Sequence, residues 1–141
     1  MVYKILNKSN GEDKVKGAKI EYSQVKINGK KIKAEVADTF AERTKGLSDR
    51  EKLGKNEGMI FIFEESGIYP FWMNAMKFSI DIIWVNDNKI VDIVKSAPTP
   101  ESSGQIANYE PKVAADIVIE VNAGFCDKNN VKIGDDIQIS K

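Results

Sequence analysis

A chain of 141 residues, 42% hydrophobic and 30% charged, has the size and composition of one globular domain with a core of its own. Its 21 basic and 21 acidic residues cancel, so no net field gathers nucleic acid or an anionic membrane, and no nucleic-acid partner is expected. There is no histidine, and Cys126 is the single cysteine; the commonest general base, the commonest metal ligand, an intrachain disulfide and a thiolate zinc site are excluded together, and neither a metal nor a cofactor is expected.

Residues 1–17, MVYKILNKSNGEDKVKG, read as a flexible, lysine-rich polar leader, and 18–141 as a single β-rich domain. No apolar run approaches the roughly 20 residues of a membrane span, and no signal peptide is visible. Contact with a membrane is expected only through an N-terminal anchor that has been removed. The domain opens on a hairpin, KIEYSQVKINGKKIKAEVAD, turning at Asn28-Gly29. Its first strand changes phase between Ile20/Tyr22 and Val25/Ile27, which predicts a bulge near Ser23-Gln24. Two capping boxes follow, Thr39 with Glu42 and Ser48 with Glu51, and predict short helices over about 40–45 and 49–53, stopped by Gly46 and Gly54.

GMIFIF, from Gly58 to Phe63, is a short apolar strand, and EESGIYP a turn. IDIIWVNDNKIVDIVKS is a second hairpin about Asp87-Asn88, and Ser96 to Tyr109 an irregular loop of the length that often carries function. DIVIEVNAG is a buried strand. A helical turn near Phe125 to Asn129 and a terminal strand with a Gly-Asp turn complete the chain. The pattern predicts an α+β domain, mostly β, with short strands curled into a barrel-like body and two or three short helices.

Candidate chemistry comes from a few residues. The chain has 19 lysines and only two arginines, Arg43 and Arg50, a bias that hints at two places needing a planar fork of donors; an ordinary surface salt bridge is the plainer alternative. Asp81 and Glu120 each stand in a strand apolar on both faces, Asp81 with Ile83 and Val85, Glu120 with Val118, and a buried carboxylate needs a partner. An arginine is the expected partner, Arg50 with Asp81 first and Glu120 second. In PFWMNAMKFSIDIIWV, Trp84 alternates with Ile80 and Ile82 as core. Trp72 and Met73 follow a turn, where tryptophan and methionine suit either core or the wall of a groove.

The blocks AERTKGLSDREKL, EGMIFIF, FWMNAMKFSIDIIWV, DIVIEVNAGF and KIGDDI resemble, in order and spacing from about Val36 to the C-terminus, the prokaryotic domain-of-unknown-function family 192. The resemblance implies a small β-rich domain, often carried behind a signal peptide or lipid anchor, and hence a location outside the cytoplasm, anchored or secreted in the full-length form. It assigns no activity. Matching positions include Glu42, Arg43, Gly46, Arg50, Gly58, Trp72, Met73, Asp81, Glu120 and Gly124. The family's usual methionine after Gly-Leu is Ser48 here, and its usual Lys-Asn after Trp-Met is Asn74-Ala75.

Three functions fit. The favoured one is a noncatalytic binding module for a small polar ligand, sugar or peptide-like, with Arg50, Trp72, Met73, Asp81, Arg43 and Glu120 as the ligand-binding set and no catalytic residue. A carboxylate-dependent hydrolase using Asp81 and Glu120 is the enzymatic alternative, which requires the two carboxyl groups to flank one cleft. A structural or partner-binding domain without a small-molecule site is the third.

Overall fold

A computed structural model describes residues 19–141; the predicted leader lies outside the described residues. Seven strands form one curled sheet in the order β6-β5-β8-β3-β2-β1-β9. They are β1 (Tyr22–Ile27), β2 (Lys30–Ala37), β3 (Glu57–Gly67), β5 (Ile80–Asn86), β6 (Lys89–Ala97), β8 (Ala115–Asn122) and β9 (Ile137–Ser140). A small second sheet pairs β4 (Phe71–Trp72) with β7 (Asn108–Tyr109). Three short helices are found among the described residues: α1 (Phe40–Lys45), α2 (Pro100–Ser103) and α3 (Phe125–Lys128). The α+β, mostly β, barrel-like fold is as expected. The curl nearly returns on itself, because the segment before β9 bonds to the start of β6: Ile90 N–H donates to Asp135 O at 2.9 Å and Gly134 N–H to Ile90 O at 2.8 Å.

Both hairpins turn where predicted. Asn28 and Gly29 have φ of 49° and 77°, and Asp87 and Asn88 have φ of 50° and 58°, the paired positive values that match a tight turn to the twist of its strands. The bulge expected near Ser23-Gln24 is absent. β1 pairs with β2 without interruption from Tyr22 to Ile27, burying Ser23, Val25 and Ile27, while Ile20 stays outside the strand and exposed. Helix α1 forms on its capping box, with Thr39 accepting from the Glu42 N–H and Glu42 from the Thr39 N–H.

The second capping box does not form. Asp49 takes a φ of 64°, which breaks any helix there. The Ser48 hydroxyl donates to Asn74 O at 3.0 Å, and the Asp49 N–H to Ala75 O at 2.9 Å, so tertiary bonds replace the local cap. The strand expected over 58–63 extends to Gly67, taking in part of the predicted turn.

The register sorts side chains into two sets. Ile80, Ile82 and Trp84 of β5 face the same way as Val118 and Glu120 of β8 and Met59 and Phe61 of β3, while Asp81, Ile83 and Val85 face the other way with Ile119, Val121 and Ile60. Each face carries its own core. The first holds Leu47, Met59, Phe61, Phe63, Phe71, Met73, Met76 and Trp84. The second is almost wholly isoleucine and valine, closed by Phe125 and Cys126. Strand β5, between them, is buried on both sides, as its apolar run predicted.

Candidate functional site

The six predicted site residues do not form one site. Asp81 is fully buried on the aliphatic face, and its partners are backbone N–H groups: Ser96 at 2.8 Å and Gly124 at 3.3 Å on Oδ1, and Cys126 at 2.9 Å on Oδ2. Local irregularities make those donors available. The β5–β6 register shifts between Ile80 and Ile82, and Ser96 adopts a φ of 51°, so its N–H leaves the ladder and points at the carboxylate. Gly124, at a φ of 91°, turns the chain from β8 into α3, a conformation in which a side chain is strained. Asp81 thus joins the end of β6 to the start of α3.

The expected Arg50–Asp81 pair, and its second choice with Glu120, is corrected. Arg50 grips Glu35 of β2 through two bonds, Nη1 to Oε2 at 2.7 Å and Nη2 to Oε1 at 2.8 Å. That Glu35 hydrogen bond, ahead of all other influences, raises the guanidinium above its ordinary range. A strand acid does pair with this arginine, but on the aromatic face and half-exposed. Arg43 also uses what a lysine lacks: Nη1 donates to the carbonyls of Asp38 and Ile62, and the flat guanidinium lies 5.1 Å from the centre of the Phe63 ring. The two arginines therefore fasten α1 and the loop after it to the sheet.

Met73 is fully buried in the aromatic core, and Trp72, its neighbour on β4, is half-buried. Glu120 is fully buried between Met59 and Ile82 in the register. The register also removes the hydrolase arrangement. Asp81 lies opposite Val121, and Ile82 opposite Glu120, so the two carboxylates leave opposite faces and the sheet stands between them. They cannot flank one bond from one cleft. Cys126 offers no substitute nucleophile: burial, then the Asp81 charge, pushes its thiol far above the ordinary range.

Two clefts stand out among the described residues, and none of the six residues borders either. The larger, of about 540 Å³, adjoins Lys19, where the described chain begins, and mixes lysines with Glu21 and Asp38. The other, of about 310 Å³, sits at the rim of the aliphatic core. It is lined by Lys30, Lys55 and Lys128, by the amides of Asn56, Asn122 and Asn129, and by the Ala123–Phe125 turn. Three separate clamps shape it. Asp81 holds the turn. Asn122 Nδ2 donates to the carbonyls of Leu53 and Gly54 at 3.1 and 3.0 Å, fixing the segment that carries Lys55 and Asn56. Asn28 Nδ2 donates to the carbonyls of Asn129 and Asn130 and to Asp135 Oδ2, at 3.1 to 3.2 Å, fixing the far wall. The Asp135 carboxyl is held below its ordinary range, first by the Lys132 N–H and then by the Asn28 amide.

Composition gave no sign of this cleft, because lysine is the default cation of the chain. The one sequence signal toward it was indirect: a buried acid, Asp81, and a turn glycine, Gly124, both positions in the family pattern.

Comparison with known proteins now adds a family. The model for domain-of-unknown-function family 192, described as "Uncharacterized ACR", matches residues 23–139. The chain belongs to this family. A crystal structure of a protein of unknown function from Novosphingobium aromaticivorans matches with a TM-score of 0.75 at 30% identity, covering 89% of each chain. A second, a protein from Sinorhizobium meliloti described as a candidate transcription regulator, matches with a TM-score of 0.73 at 23% identity, covering 86% of this chain and 94% of that one. The second likeness concerns the fold alone. No curated protein matches the chain.

Family membership gives the Asn74-Ala75 departure a physical meaning. Ala75 has a φ of 57°, a conformation that asparagine adopts far more readily than alanine. An asparagine at this position suits the backbone of the turn.

Proposed function

We propose that this domain is a noncatalytic binding module for a small polar ligand, and that the ligand occupies the cleft between the β1–β2 turn, the segment before β3 and the β8–α3 turn. The observation that carries this is the way the cleft is built. A fully buried carboxylate, Asp81, and two asparagine amides, Asn28 and Asn122, fix three segments distant in sequence around one opening. Its volume of about 310 Å³ lies at the lower end for small-molecule sites. A catalytic role finds less support, since Asp81 and Glu120 are divided by the sheet and the one thiol is buried. A location outside the cytoplasm, which the family resemblance implies, belongs to the same proposal.

The test is a thermal-shift panel of monosaccharides, hexose phosphates and short peptides on the wild type, Ala123→Trp and Trp72→Ala. Ala123 is exposed on the cleft wall, so the added indole fills the opening without entering a core. A compound that binds the cleft raises Tm in the wild type, loses that effect in Ala123→Trp and keeps it in Trp72→Ala. The opposite pattern would move the site to Trp72. A panel in which nothing raises Tm would remove the binding-module reading.

A further inference from the structure

We infer that the cleft takes a small hydroxylated anion, a sugar bearing a phosphate or a carboxylate, held by Lys30, Lys55 and Lys128; this rests on the binding-module reading and names its ligand class.

Charge comes first. The chain as a whole is neutral, yet among the described residues this opening is bordered by three lysines and by no acidic side chain. The lysines that pair with acids among the described residues lie elsewhere: Lys77 with Glu51, Lys89 with Asp136, Lys95 with Asp127 and Lys132 with Asp135. Among the described residues, Lys30, Lys55 and Lys128 enter no ion pair. The nearest acid in sequence to Lys128 is Asp127, and Lys95 already holds it at 2.6 Å. Three uncompensated ammonium groups around one concavity sum to a positive potential that a bound anion relieves. Lysine supplies point charges rather than a rigid fork, which suits a rotatable phosphate or carboxylate.

The second half of the inference concerns the rest of the ligand. Asn122 and Asn129 also border the cleft; Asn122 Nδ2 donates both its hydrogens to the protein, to Leu53 O and Gly54 O, and Asn129 Nδ2 donates one, to Phe125 O at 2.9 Å. Asn122 is left with its carbonyl oxygen alone, and Asn129 with its carbonyl oxygen and one N–H, so each offers the ligand an acceptor. Two spare acceptors beside three cations call for a ligand that carries both negative charge and hydroxyl donors. A bare inorganic anion offers too few donors, and a neutral sugar offers no charge.

Amide-resolved NMR titration of the full chain with a hexose monophosphate, glucuronate, glucose and inorganic phosphate tests this. The hexose monophosphate and glucuronate are expected to shift the amides of Ala123 to Asn129 and of Lys55. Lys55→Ala and Lys128→Ala, both at exposed positions, should each weaken that binding about tenfold, and added salt should weaken it further. Lys31→Ala, exposed and outside the cleft, should leave it unchanged. Glucose shifting the same amides as strongly, with no effect of either lysine variant, would overturn the anionic assignment while the binding module stands. Inorganic phosphate binding as tightly as the hexose monophosphate would overturn the hydroxyl half. No shift at these amides with any of the four would overturn the inference outright, and the thermal-shift panel then decides the wider reading separately.

Discussion

On one face of the sheet, methionines and aromatic rings close under two loops; on the other, isoleucines and valines close under α3 and the C-terminal segment. The aromatic face is sealed by shape. Phe71 meets Phe61 edge-on at 5.0 Å and Trp84 at 6.0 Å, while Trp84 Nε1 donates to Tyr69 O, so large rings with few rotamers fill the space and satisfy their one polar group. The aliphatic face is sealed only as far as its turns, and beyond Phe125 it gives way to lysines and asparagines around an opening. The difference teaches that the chemically rich stretch PFWMNAMKF supplies mainly packing, while the more ordinary face ends in an open cleft, the one proposed above as the binding site.

That contrast is easiest to break at Asp81. Asp81→Ala leaves three backbone N–H groups without an acceptor at the edge of the aliphatic core, and stability should fall by about 3–5 kcal/mol in denaturant unfolding. Asp81→Asn, which keeps one acceptor oxygen, should recover part of it. A loss below about 1 kcal/mol for the alanine variant would mean that the β8–α3 turn is held by something else, and the two faces would differ less than described.

A smaller effect is expected on the aromatic side. Arg50 and Glu35 are 36% and 18% exposed, so their pair is solvent-screened, and Arg50→Ala should cost about 1 kcal/mol. Arg50→Lys should lose part of that, because one ammonium cannot reproduce two parallel bonds. A double-mutant cycle with Glu35→Ala should show coupling, and one with Asp81→Ala should be additive. Coupling to Asp81 instead would contradict the partition of the two residues between faces.

How far this was legible in the sequence differs by kind of interaction. The period-two alternation of β5 and β8 placed Asp81, Glu120 and Trp84 on their correct faces, because side-chain direction in a strand follows position alone. The partner of Asp81 was not legible. Backbone N–H groups occur at nearly every position and carry no sequence mark; only the bulge at Ser96 and the turn at Gly124 make three of them converge. Ser48 and Glu51 misled for a related reason: a capping box describes a local option, and the bonds from Ser48 and Asp49 to the 74–75 turn won. The lysine cleft gathers residues from 30, 55 and 128, a juxtaposition that exists only after the sheet has formed.

The smallest expected effect sharpens the account of the cover over the aromatic face. Ala75→Asn should stabilise the domain by about 0.5–1 kcal/mol, since asparagine tolerates the left-handed conformation that alanine holds there. No gain, with the fold intact, would mean that the turn is indifferent to its residue. Binding at the lysine cleft should be untouched, because Ala75 belongs to the opposite face.

The pairing of β1 with β9 brings Gln24 beside Ser140 and Ile27 beside Ile137. The early end of β1 and the late end of β9 therefore lie together, while the turn that follows Ile27 leads to Lys30 at the cleft. Six residues of strand, about 20 Å at the usual rise, separate the two. A linkage made at the exposed Tyr22 or Ser140, to a surface, a bead or a reporter, would hold the domain at the end of this strand pair away from Lys30, and both choices of attachment should serve equally well for immobilised binding measurements.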